Sequence, residues 1–265
     1  MLKDITLGQY FPGNSIAHKL DPRTKILLVT LYIIALFSAK GWMGYAVMAV
    51  TLAACVKVSH VGLRALVRGL KPLVFITGIL NMFFTPDTHY LWEWGILRVS
   101  VKGIENALFM VIRIMLLVMG TFLMTYTTSP IRLTDGLESL LNPLKKIHVP
   151  VHELAMMMAI ALRFIPTLIE ETDKIMSAQK ARGADFDSGN IFQKAKALVP
   201  ILVPLFISAF RRADELATAM ECRCYHGGEG RTKLHVLKYQ RRDYVALTGG
   251  AVILALVVVL RRLGA

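Results

Sequence analysis

The sequence predicts an all-α integral membrane protein, with about five transmembrane helices and long amphipathic helices on the cytoplasmic side. Three observations carry this. Of 265 residues, 55% are hydrophobic, and the mean hydropathy is +0.52, too apolar for an ordinary soluble domain. The apolar residues fall in separate runs, four before position 130 and one after 243. The 31 Lys and Arg, against 18 Asp and Glu, flank those runs. The positive-inside rule explains that pattern better than nucleic-acid binding does.

Taken in order, residues 1–14 are mixed and polar-aromatic and lack the apolar core of a signal peptide. The first transmembrane helix is therefore expected to act as its own insertion signal. Pro12-Gly13 and Asp21-Pro22 are turn signals. Residues 26–39 and 41–56 are apolar and separated by Lys40, which reads as two spans and a short hairpin. Residues 57–71, with Arg64 and Arg68, read as an internal loop or interfacial helix. Residues 72–84 form a third run. Residues 85–102 carry Tyr90, Trp92 and Trp94, which suit an interfacial belt. Residues 104–127 form the longest clean span, interrupted by Glu105, Asn106 and Arg113.

From residue 132 to 242 charges appear at helical spacing. Residues 133–147 read as a short amphipathic helix broken near Asn142-Pro143. A long helix follows, with Leu154, Met158, Ala161, Ile165, Leu168, Met176 and Gln179 near one face and charged last turns. Asn190 is a candidate N-cap for a second long helix reaching about Cys222, which Pro200 and Pro204 should bend or split. Residues 244–260 are a last apolar run, closed by Arg261 and Arg262. The expected division is an N-terminal membrane domain with four spans (1–130), a cytoplasmic helical region (131–242) and a C-terminal span (243–265). Lys3, Lys19, Arg23 and Lys25 precede the first span, Lys40 alone follows it, and Lys57, Arg64, Arg68 and Lys71 follow the second. That alternation predicts a cytoplasmic N-terminus and an external C-terminus.

The two long helices end alike. One ends in Ala181-Arg182-Gly183 and the other in Cys222-Arg223-Cys224. At an offset of 41 residues Asp173 matches Asp214, Ile169 matches Phe210, Ile175 matches Leu216 and Ala178 matches Ala219. This is a weak internal repeat whose end points agree. An arginine at a helix C-terminus can cap its own helix, or it can reach a partner's carboxylates or carbonyls.

Other chemistry is sparse. No Gly-Lys dipeptide occurs, so a P-loop is absent, and there is no GxSxG, HExxH or paired CxxC. Three cysteines give no disulfide framework. Cys222, Cys224 and His226 are close enough to raise a soft-metal site, but no second cluster completes it, and no metal is expected. His148, His152 and Glu153 read as a helix start. Arg113 and Glu105 are functional candidates by position. Met156, Met157 and Met158 suit either ordinary core or a surface that accommodates several partners. The arginine ends are expected to lie far from them along the helix.

These features together resemble the transmembrane T component of energy-coupling factor transporters, the vitamin and metal uptake systems of prokaryotes. The paired signature around Arg182 and Arg223 is its most specific part. Gly8-Gln9-Tyr10-Phe11-Pro12-Gly13, the run from His18 to Lys25, and Leu162-Arg163-Phe164-Ile165-Pro166-Thr167-Leu168 also resemble that family. The resemblance implies a non-catalytic scaffold in the prokaryotic cell membrane. It would join two ATP-binding-cassette ATPases to a membrane-embedded substrate-binding subunit, dedicated or exchanged among several. ATP and Mg would be bound by the ATPases, with no cofactor in this chain and no nucleic acid. Ala181, Arg182, Gly183, Cys222, Arg223 and Cys224 would couple to the ATPases through the long coupling helices, and Met156 to Met158 would meet the substrate-binding subunit. The cysteines at 222 and 224 depart from the usual Ala and Gly, and a non-glycine at 224 disfavours a left-handed turn there. A lipid-modifying membrane enzyme would need a carboxylate or His cluster at the bilayer surface. The chain offers only Glu170, Glu171 and Asp173 on one helix. A stand-alone secondary transporter would need inverted membrane repeats, whereas the repeat here lies in the amphipathic region.

Overall fold

The computed structural model describes residues 10–62, 71–84, 90–94, 97–184, 186, 190–228 and 236–263. Its helices are α1 (Ile16–Lys19), α2 (Pro22–Ser38), α3 (Gly41–Ser59), α4 (Lys71–Phe84), α5 (Val101–Thr127), α6 (Pro130–Leu141), α7 (Val151–Ala181), α8 (Ile191–Cys222) and α9 (Arg241–Arg262). Between α4 and α5 two short strands, β1 (Tyr90–Trp94) and β2 (Leu97–Ser100), pair antiparallel, with Trp92 opposite Val99 and Trp94 opposite Leu97. This hairpin occupies the aromatic segment, where the sequence reading expects an interfacial belt and no strands. The signal was two β-prone runs separated in sequence by the Gly95-Ile96 pair.

The chain divides into two compact units. In the first, residues 8–139 and 237–265, the apolar runs have become helices. α5 packs on α2, α3 and α4, and α9 packs on α2 and α3. Leu36, Met48, Leu116 and Val257 are the centre of that core. The polar N-terminal segment is bound into it. Asp21 caps α2 by accepting from the Arg23 N–H at 2.9 Å, and its own N–H donates to Asp243 Oδ1 at 2.9 Å. The other carboxylate oxygen of Asp243 accepts from the Gln240 N–H at 2.8 Å, so one carboxylate, 1% exposed, joins the starts of α2 and α9. The Arg23 guanidinium lies over the Tyr239 ring and donates to the Leu237 carbonyl. Lys25, also buried, donates to the Thr127 carbonyl and the Thr128 hydroxyl at the end of α5. Much of the motif from His18 to Lys25 is thus used to close the bundle. The loop expected over 57–71 divides. Lys57 belongs to the last turns of α3, and residues 63–70 lie outside the described set.

The second unit, residues 140–236, holds α7 and α8. α6 gives way at Asn142 to a 3₁₀ turn, Asn142–Ile147, as the Asn-Pro pair predicts. α7 stays unbroken through Pro166, and α8 through Pro200 and Pro204.

Among the described residues, five helices are long and apolar enough to cross a membrane: α3, α5, α7, α8 and α9. Three of them, α3, α5 and α9, fall on expected spans. α2 and α4, on the other two expected spans before residue 130, have 17 and 14 residues, at and below the short end of the roughly 17–25 residues a crossing takes. The charged last turns of α7 and α8 hide, in a residue-by-residue reading, apolar stretches that are long enough. The chain is an all-α integral membrane protein with one small hairpin.

Candidate functional site

Arg182 and Arg223 occupy the C-caps of α7 and α8. After Arg182 the Gly183 N–H donates to the Lys180 carbonyl at 3.0 Å and the Ala184 N–H to the Gln179 carbonyl at 3.0 Å. After Arg223 the Cys224 N–H donates to the Glu221 carbonyl at 2.8 Å and the Tyr225 N–H to the Met220 carbonyl at 3.1 Å. Both are Schellman turns, bond for bond. The residue after each arginine is left-handed, Gly183 at φ +86° and Cys224 at φ +56°. The turn forms although, as expected, a cysteine at 224 disfavours it. The two backbone bonds hold Cys224 in it, at a cost on the order of 1 kcal/mol. All six residues of the paired signature, Ala181 to Gly183 and Cys222 to Cys224, are exposed.

α7 and α8 run antiparallel. Gln179, near the end of α7, donates through Nε2 to the Pro200 carbonyl early in α8, at 3.4 Å. Glu171, further back in α7, accepts from Arg212 Nη2 at 2.9 Å and from the Ser208 hydroxyl, later in α8. The Pro200 carbonyl is open because residue 204 is also proline and has no N–H to give it. The prolines therefore do not split α8. They supply a contact for α7.

Antiparallel pairing sends the two arginines to opposite ends of the helix pair. Past Arg223 the chain returns to the first turn of α7, where Gly228 sits so close to the His152 ring that a Cβ would overlap it. Met157 and Met158, 54% and 42% exposed, and the half-buried Met156 lie one to two turns further along α7. They are remote from Arg182, as expected. Arg223 ends the antiparallel partner helix, at the end of the pair where α7 begins.

The remaining candidates have local roles. The side chain of Arg113 donates to the Tyr45 hydroxyl at 2.8 Å and lies 5.8 Å from the Phe37 ring centre. It thus ties α5 to its neighbours within the first unit. Glu105 is exposed. His148 is the left-handed cap of the 3₁₀ turn, and Glu153 stands in the first turn of α7. Cys222 and Cys224 are exposed free thiols, and no three His, Cys, Asp or Glu converge as metal ligands among the described residues.

The sequence reading missed the Glu171–Arg212 pair and the Gln179 contact. One signal was available for the first: Glu171 and Arg212 are 41 positions apart, the offset of the repeat.

Comparison with known proteins agrees along nearly the whole chain. The model of the CbiQ family, described as cobalt transport protein, matches residues 13–234. The chain is 58% identical over 250 residues to the energy-coupling factor transporter transmembrane protein EcfT of Clostridium kluyveri, covering 93% of both. It is 54% identical over 256 residues to the EcfT of Ruminiclostridium cellulolyticum, covering 96% of this chain and 95% of that one. Against EcfT of Bacillus subtilis the identity is 46% over 264 residues, covering 98% of this chain and all of the other. The chain belongs to the EcfT family. It is therefore a multi-pass transmembrane component of an energy-coupling factor transporter, and the family's relatives are named as transport components.

Proposed function

We propose that the chain is the non-catalytic membrane scaffold through which two ATPase subunits drive uptake of a vitamin or other micronutrient, the substrate being held by a separate membrane-embedded subunit. One observation carries the reading. Two exposed arginines end α7 and α8 in the same Schellman turn, at opposite ends of an antiparallel pair. A guanidinium held beyond its helix end can donate a planar fork to carboxylates or carbonyls in a groove on each ATPase. When the ATPases open and close on ATP and Mg, they would move the two ends relative to each other. The helices would carry that displacement as rigid bodies to the subunit seated on Met156 to Met158. In this reading residues 131–242 form the coupling region, the N-terminus faces the cytoplasm, and several substrate-binding subunits can exchange on the same methionines.

The test is co-purification of the ATPases from membranes. Arg182→Ala and Arg223→Ala should each weaken assembly by about 2–5 kcal/mol, much of it from partner groups left unpaired. The double variant should lose the ATPases, because each anchor raises the effective concentration of the other. Full retention by the double variant would return both residues to simple helix caps.

A further inference from the structure

The ion pair between α7 and α8 joins repeat-equivalent residues. Glu171 and Arg212 are 41 positions apart, the same separation as Arg182 and Arg223. Each lies 11 residues before its arginine, about three helical turns or roughly 16 Å. In a two-fold arrangement a residue that touches its own equivalent sits on the axis. Antiparallel helices with matched ends and a self-paired position have that symmetry locally. The Ser208 hydroxyl, one turn before Arg212, also donates to Glu171, so the carboxylate is held from two points on α8.

We infer that Glu171 and Arg212 are positioning residues, a clasp on the local two-fold axis that sets the angle between α7 and α8 and so the separation of their two arginine ends. A pivot at this point moves both ends by equal and opposite amounts, which suits a driver made of two like subunits. The inference rests on the coupling reading above. The side chains are 23% and 36% exposed, so the pair is weak enough to yield during a cycle and strong enough to bias the resting angle.

Ser177 and Thr218 are exposed and also 41 positions apart. Spin labels introduced there through p-acetylphenylalanine report the separation of the two ends in the complete transporter in nanodiscs. Glu171→Gln and Arg212→Gln should each broaden the distance distribution. They should lower uptake per ATP hydrolysed about fivefold, the factor an interaction of this exposure carries, with both ATPases still co-purifying. The exchange Glu171→Arg with Arg212→Glu should narrow the distribution and restore coupling. An unchanged distribution in the Gln variants, or an exchange variant that stays broad, overturns the clasp. Arg182→Ala with Arg223→Ala is the control: it should release the ATPases and leave the distribution of the ATPase-free protein narrow. If that variant keeps the ATPases, the docking reading fails, while the distances still decide the clasp.

Discussion

At the scale of residues, the two arginines are alike because their backbones are alike. Cys224 holds φ at +56° where Gly183 holds +86°, and only the glycine adopts that region without strain. Cys224→Gly should therefore raise stability by about 1 kcal/mol, read as a higher melting temperature in detergent with unchanged uptake. A lower melting temperature would mean that the cysteine side chain contributes more than its backbone strain removes. Lysine at 182 and 223 should rescue uptake only in part, since it keeps the charge and loses the planar fork. Uptake equal to that of the unaltered protein would show that charge alone is read. The sequence made the arginines and their small neighbours visible. It also made the residue preference at 224 visible, but not the two backbone hydrogen bonds that hold the turn against it.

At the scale of elements, local signals were legible and pairings were not. Asn190 caps α8 with Gln193 as its partner, the chain breaks at Asn142-Pro143, and both long helices end where the small residues stand. Each of these is decided within a few residues of chain. The β1–β2 hairpin and the register of α7 on α8 depend on partners three to 41 positions away, which helical periodicity does not encode. That register sends the end of α8 back toward the start of α7. Met157→Asp would bury an unpaired carboxylate in an apolar contact. It should weaken co-purification of the substrate-binding subunit on the order of tenfold, with the ATPase held at Arg182 retained. Release of both ATPases with the substrate-binding subunit kept would reverse the assignment of surfaces.

At the scale of the whole molecule, the charge pattern predicts an orientation, and the proposed function rests on the arginine pair. A cysteine placed near Lys3 should react with an impermeant reagent only from the cytoplasmic side of cells, and one at Gly264 only from outside. Reaction at Lys3 from outside would reverse the topology. Class and family were legible because composition and two short signatures run through the chain. Which helices are long and apolar enough to cross was less legible, since charged last turns hid the apolar halves of α7 and α8. The most direct test of the account is ATP-driven uptake into proteoliposomes by the complete transporter carrying Arg182→Ala and Arg223→Ala together. The account predicts uptake at background for the double variant, with part of the activity kept by each single variant; normal uptake by the double variant would contradict it.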